Sequence, residues 1–234
     1  MKSLKEVSGG VCAPAGFVAG GIHCGIRKNK QKKDFALIMS KVPCAAAGVY
    51  TQNLVKGAPV VVTKRNLSDG VAQAIICNSG NANTCNKDGE TVAEEMCGLV
   101  TKVSGITAEN VVVASTGVIG LPLDITPMAD AIQQLYDSLG DDSQSAAEAI
   151  MTTDTVPKSV AVEFEAGGKL CHVGAIAKGV GMICPNMATT LIFITSDVNI
   201  SSKMLQRALS EDVKSSFNMV SIDGDQSTND TCCI

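Results

Sequence analysis

Four short runs rich in Val, Ile and small residues precede the first amphipathic helix, and that order constrains the fold more than any other feature. Residues 35–40, 47–51, 59–64 and 73–78 read as strands bordered by Gly, Asn or Pro. Residues 88–103 then repeat apolar side chains at helical spacing, with Val92, Met96, Leu99, Val100 and Val103 on one face. Residues 110–115 form a buried-type strand, Val111-Val112-Val113-Ala114, that runs into a turn at Thr116-Gly117. Thr126-Pro127 reads as a helix start, Thr as N-cap and Pro at the first helical position, with the end expected near Leu139 before Gly140. Residues 143–152 read as a further helix, and 159–165 with 169–177 as a hairpin about Gly167-Gly168. A strand over 190–195 leads to an amphipathic helix over 201–216, and 218–223 opens another strand. Strands and helices that do not alternate strictly imply layered α+β architecture rather than a doubly wound parallel sheet.

Composition removes several classes of function. Of the 234 residues, 45% are hydrophobic and 18% charged, as in a folded globular protein. Only 3% are aromatic, so the core must be aliphatic, and the stacking platforms of single-strand nucleic-acid binders are missing. The net charge is -4, and the basic segment from Arg27 to Lys33 reads as a solvated loop, so no nucleic-acid partner is expected. No run reaches the ~18 apolar residues of a membrane span, and Glu6 and Gly9-Gly10 interrupt any leader-like segment, so a cytoplasmic protein is expected. The 10 cysteines are scattered with no CxxC pair, which favours free thiols in a reducing compartment over disulfides or a metal site. The chain stops at Thr231-Cys232-Cys233-Ile234 without a cap or charged tail, and reads as a piece of a longer protein.

The segment richest in chemistry is Lys178-Gly179-Val180-Gly181-Met182-Ile183-Cys184-Pro185-Asn186-Met187-Ala188-Thr189-Thr190. A Gly-rich loop there delivers a Thr to the mouth of a buried strand. A hydroxyl nucleophile needs such a fixed position, together with a base and a pocket for developing negative charge. The same pattern also fits a plain Gly-rich connection whose β-branched Thr opens the strand. A phosphate cradle fits poorly, because the order of Gly, Lys and Ser/Thr is wrong and no helix follows.

This segment closely resembles the self-processing motif of the ornithine acetyltransferase family, the bifunctional glutamate N-acetyltransferases. The resemblance extends through further blocks in order. They are Ala46-Ala47-Gly48-Val49-Tyr50-Thr51-Gln52-Asn53, Cys77-Asn78-Ser79-Gly80-Asn81-Ala82-Asn83, Ser115-Thr116-Gly117-Val118-Ile119-Gly120 and Met151-Thr152-Thr153-Asp154-Thr155. The last runs from Ser221 through Asp223-Gly224-Asp225 to Asn229-Asp230-Thr231.

The resemblance implies a layered α/β/β/α sandwich shared with self-cleaving aminopeptidases. It further implies a cut between Ala188 and Thr189, giving an α chain of residues 1–188 and a β chain beginning with residues 189–234. Thr189 would then carry an acetyl group from N2-acetylornithine to glutamate, a step of arginine biosynthesis. Thr116 and Gly117 match the oxyanion pair, Lys178 a substrate-binding lysine, and Thr152 (or its neighbour Thr153) a substrate contact. No cofactor or metal is implied, although some members of that family accept acetyl-CoA as donor, and two α and two β chains are expected to assemble. His23 and His172 match no catalytic position, and Asn78, Asn81 and Asn83 fit turn geometry. Two other readings fit the same residues: an amidase or aminopeptidase of the related fold, and a non-catalytic fragment.

Overall fold

The computed structural model describes residues 4–182 and 190–234. The chain begins with strands β1 (Lys5–Val7), β2 (Phe17–Ile22), β3 (Phe35–Ala45) and β4 (Gly48–Tyr50), followed by helix α1 (Ala58–Asn66). Strand β5 (Val71–Asn81), helix α2 (Gly89–Ser104) and strand β6 (Val111–Val118) come next, then helices α3 (Thr126–Asp137) and α4 (Ser143–Ile150). The hairpin β7 (Lys158–Ala166) and β8 (Lys169–Lys178) precedes β9 (Leu191–Ser196), α5 (Ser202–Ser215) and β10 (Thr231–Cys233). Two sheets result, one in the order β1-β7-β8-β9-β10-β4 and one in the order β2-β3-β5-β6.

Period-two alternation sorts the apolar side chains of each strand between two faces. From β3, Phe35 and Leu37 pack with the helices α2 and α3 through Met96, Val100, Met128 and Leu135, while Ala36 and Ile38 face the other sheet. In β6, Val111 and Val113 take the helical side, and Val112 and Ala114 the side shared with Leu191 and Phe193 of β9. Ile192, between those two, joins Leu205, Leu209 and Val213 of α5 on the far side of the six-stranded sheet. The outcome is the expected layered α+β arrangement, with α2 and α3 outside the four-stranded sheet and α5 outside the six-stranded one. Helix α4 contributes Ala146, Ala147, Ala149 and Ile150 to the core between the sheets. It lies so close to β2 that a Cβ on Gly21 would sit 2.1 Å from the Ser145 carbonyl oxygen.

Most strand pairs are antiparallel, but β5 and β6 run parallel, joined across α2 as a crossover requires. The carboxyl ends of these two strands therefore emerge side by side.

Three expectations need correction. Residues 59–64 are not a strand but lie within α1. Pro59 occupies its first turn, and the buried Pro59, Val60, Val62 and Thr63 fall at helical spacing. The helix covers β6, an edge strand. Thr63 Oγ1 donates to the Val113 carbonyl (2.6 Å) and accepts its N–H (2.8 Å), satisfying backbone groups that an open edge would leave bare. Residues 218–223 are also not a strand; the ladder partner of β9 comes later, at β10. Finally, α3 is preceded by Ile125 at the N-cap position, and the Asp124 carboxylate rather than Thr126 does the capping, accepting the Thr126 N–H at 2.9 Å.

Candidate functional site

Parallel pairing aligns two of the sequence blocks. Asn78 lies opposite Ser115, Ser79 opposite Thr116 and Gly80 opposite Gly117, and the ladder shifts register just beyond. Irregular pairing of this kind re-aims the backbone at strand ends. Gly117 has φ +134°, and an added Cβ would lie 2.4 Å from the Gly80 carbonyl carbon and 2.6 Å from the Asn81 nitrogen. Only glycine fits there, on both conformational and steric grounds. The asparagines hold the neighbouring turn. Asn78 Nδ2 donates to the Asn81 carbonyl, Asn81 Nδ2 to the carbonyls of Leu121 and Pro122, and Asn83 Nδ2 to that of Gly89.

Lys178 ends β8 in the other sheet, yet its Nζ reaches across to Thr116 Oγ1 at 3.3 Å. Both residues are buried. An ammonium has no lone pair, so Thr116 accepts in this contact and its own proton remains to be donated elsewhere. Burial pulls the Lys178 ammonium below the usual lysine range, opposed by Asp154, Cys77 and Asp230. Burial also pushes the Cys77 thiol up to about 12, so near neutral pH it is an uncharged apolar neighbour.

Asp154, fully buried, organises the residues behind the lysine. It accepts from Lys158 Nζ at 2.6 Å, from the Gly179 amide at 2.9 Å and from the Thr152 amide at 3.2 Å. Burial raises its affinity for a proton, but these donors outweigh burial and hold its carboxyl below the usual range. The Thr152 backbone is thereby tied to the residue after Lys178, while Thr153 is exposed.

The block at residues 227–231 closes the arrangement. Asn229 Nδ2 donates to the carbonyls of Ala82 (2.7 Å) and Ser115 (2.9 Å), and its Oδ1 accepts from the hydroxyls of Thr84 and Thr228. One buried amide thus joins the ends of β5 and β6 to the lead-in of β10. Asp230 follows, with Oδ1 accepting the Thr190 N–H at 2.7 Å and its backbone carbonyl accepting the Thr51 N–H at 3.0 Å. Burial pushes its carboxyl up to about 7, against the pull of the Thr190 amide, Ser227 and Lys178.

Thr116, Gly117, Lys178 and the Thr152 backbone are therefore gathered at one end of the two sheets. Ala188 and Thr189 lie outside the described residues, but Thr190 leads into β9 beside Asp230. Of the four buried side-chain polar atoms without a hydrogen-bond partner among the described residues, three belong to the paired strand ends and the closing block: Asn78 Oδ1, Ser115 Oγ and Asp230 Oδ2. Such groups are rare in folded proteins and need an explanation. Sequence reasoning quoted the blocks containing Asp154, Asn229 and Asp230 without giving these residues a part. The available signal was an acidic or amide side chain inside a Thr- and Ser-rich block, which is weak without the fold.

Elsewhere, His23 Nδ1 lies 2.9 Å from the Lys32 carbonyl, and His172 Nδ1 lies 2.9 Å from Asp197, both local braces. All cysteines among the described residues are free. Among the described residues no group of three or more His, Cys, Asp or Glu is arranged to hold a metal ion, and no helix is long and apolar enough to cross a membrane.

The ArgJ family model matches residues 18–234. The arginine biosynthesis bifunctional protein ArgJ of Symbiobacterium thermophilum is 51% identical over 230 residues, covering 97% of this chain and 57% of that protein. The glutamate N-acetyltransferase of Methanocaldococcus jannaschii is 46% identical over 233 residues, covering 97% and 56%. The crystal structure of ornithine acetyltransferase complexed with ornithine from Mycobacterium tuberculosis superposes with a TM-score of 0.72 at 34% identity, over 79% of this chain and 99% of that one. The chain thus spans little more than half the length of the curated relatives it matches. With a family match across nearly its whole length and close relatives on both measures, the chain belongs to the ArgJ family.

Proposed function

We propose that the protein, at the length of its relatives, is a glutamate N-acetyltransferase that moves acetyl from N2-acetylornithine to glutamate through an acetyl ester on Thr189. The observation that carries this reading is the Lys178–Thr116 contact beside Gly117. A hydroxyl polarised by a neighbouring ammonium, next to a backbone held at a glycine-only angle, suits the developing negative oxygen of acyl transfer, where each such donor contributes about 10²–10³ in rate. Thr116 and Gly117 take that role. Lys178 and Thr152 engage the charged amino-acid end of the substrate, and acetyl-CoA is an alternative donor.

The cycle starts with self-cleavage between Ala188 and Thr189. The freed α-amine of Thr189, with an ordinary pKa of about 7.7–8.0, then serves as base for its own hydroxyl. Attack on the acetyl carbonyl of acetylornithine releases ornithine, and glutamate takes the acetyl group from the ester. The solved relative supports separate chains: it matches 79% of this chain and 99% of its own, and residues 1–188 are four-fifths of the 234. We assign the finished enzyme two α and two β chains and a cytoplasmic place in arginine biosynthesis.

The test is transfer of labelled acetyl from acetylornithine to glutamate. Transfer that requires Thr189 supports the reading. Acetate release that is indifferent to glutamate points instead to a hydrolase, and Thr189→Ala retaining transfer refutes the nucleophile.

A further inference from the structure

The Thr116-Gly117 turn has the least regular backbone support of any part of the site. The β5–β6 ladder runs evenly only as far as Gly80 opposite Gly117 and shifts register at Asn81. A hydroxyl and an amide that must meet a developing oxyanion have to be placed to within a fraction of an ångström. Something beyond the ladder must hold this turn.

Asn229 supplies the hold. Its Nδ2 donates one proton to each strand end, to the Ala82 carbonyl just beyond β5 at 2.7 Å and to the Ser115 carbonyl in β6 at 2.9 Å. The Ser115 carbonyl shares a planar peptide unit with the Thr116 nitrogen, so fixing the one orients the other. On the far side of the turn, the Val118 carbonyl accepts the Ala82 N–H at 2.9 Å. Thr116-Gly117 is thus tied at both flanks, and both ties lead to Ala82. The amide itself cannot turn over, because its two carbonyl partners only accept, while the hydroxyls of Thr84 and Thr228 donate to its Oδ1 at 2.6 Å each. Gly57 closes the remaining space: a Cβ there would lie 2.6 Å from Asn229 Oδ1 and 2.7 Å from Nδ2. A buried amide with every hydrogen-bonding position filled is a rigid support.

We propose that Asn229 is a positioning residue for acyl transfer. It acts through the Ser115 carbonyl to hold the Thr116 hydroxyl and the Gly117 amide where the oxyanion forms, and does not itself touch substrate. This rests on the transferase reading above. The cut proposed there leaves the turn on the α chain and Asn229 on the β chain, so the geometry of the oxyanion pair depends on the two chains staying together.

The experiment compares the whole natural chain with Asn229→Asp, which keeps the side-chain shape and an oxygen for Thr84 and Thr228 but turns an acceptor towards two carbonyls. Competent sites are counted by isotope-labelled acetyl retained per chain. The readouts are kcat per competent site, KM for acetylornithine and glutamate, and the carbonyl stretch of the labelled acetyl-enzyme by difference infrared spectroscopy. In Asn229→Asp, kcat per site is expected to fall about 10²-fold, as for a displacement of about 1 Å at a catalytic group, with both KM values unchanged. The carbonyl band should move to higher wavenumber, because the donors no longer meet the oxygen squarely. Thr84→Val loosens the same amide from its oxygen end; it is the milder change, and serves where Asn229→Asp does not fold. It should move kcat and the band in the same directions, kcat by about 3–10-fold. A residue that serves the fold alone would lower the number of competent sites and leave kcat per site and the band at wild-type values. That result overturns the proposal and leaves the transferase reading standing. A wild-type chain that transfers no acetyl group sinks the transferase reading, and this proposal with it.

Discussion

Gly117→Ala tests the geometry of the paired strand ends without reference to any substrate. The residue sits at φ +134°, where an L side chain costs about 1–3 kcal/mol. Its new Cβ would lie 2.4, 2.6 and 2.7 Å from the carbonyl carbon of Gly80, the nitrogen of Asn81 and the Gly80 oxygen. All three are backbone atoms, so no rotamer change relieves the contact, and the strands must part by about 1 Å to reach ordinary van der Waals separation. Losing one or two ladder bonds at about 1 kcal/mol each brings the total to about 2–5 kcal/mol. Gly120→Ala is the matched control: φ is +79° with nothing within 4 Å of the added carbon, so only about 1–2 kcal/mol of backbone strain is expected. Urea unfolding followed by circular dichroism, with both changes made in a Thr189→Ala background to keep one unbroken chain, measures the difference. The midpoint of Gly117→Ala should fall by roughly 1–2 M. Equal midpoints for the two variants would refute the close approach of β5 and β6 at the site.

Two further predictions follow from buried polar groups. Thr63→Val keeps the side-chain volume but strips the Val113 N–H and carbonyl of their partner, and should cost about 3 kcal/mol by the same unfolding assay; a loss below ~1 kcal/mol would mean that α1 does not seal the β6 edge through this hydroxyl. Asp230 links stability to pH, because its carboxyl binds a proton more tightly in the fold (about 7) than the ordinary value of 3.8. Between about pH 4 and 7 the native state keeps a proton that the unfolded chain has released, so stability declines as pH rises through that window. The gap corresponds to about 4 kcal/mol. In the Thr189→Ala background, Asp230→Asn should therefore gain stability relative to its parent by roughly that amount between pH 4 and pH 8, and an unchanging difference would contradict the burial of the charge.

Much of this was legible in the residues because period and composition agreed there. The alternation of β3 and β6 and the apolar faces of α2 and α5 set the layers, and α5 spans Ser202–Ser215, within a residue of the expected bounds at each end, with the Ser201 hydroxyl accepting the Met204 N–H. Residues 59–64 misled because a Val-Val-Val run carries strand propensity. The need to cover an exposed sheet edge overrode it, and Pro59 was the local clue. The site divided the same way. Thr116, Gly117 and Lys178 stood out within their blocks, whereas the parts of Asp154, Asn229 and Asp230 depend on partners far away in sequence. Asn229 bonds residues 114 and 147 positions distant, and no local pattern encodes such a meeting.

The proposed function requires the chain to break before Thr189 and then to use that residue as its acyl carrier. Intact-mass measurement of the purified protein, alongside Thr189→Ala, tests it most directly. Two masses are expected for the natural sequence, dividing between Ala188 and Thr189, and a single uncut mass for the variant. A natural chain that stays whole, or a variant cut at the same bond, would contradict it.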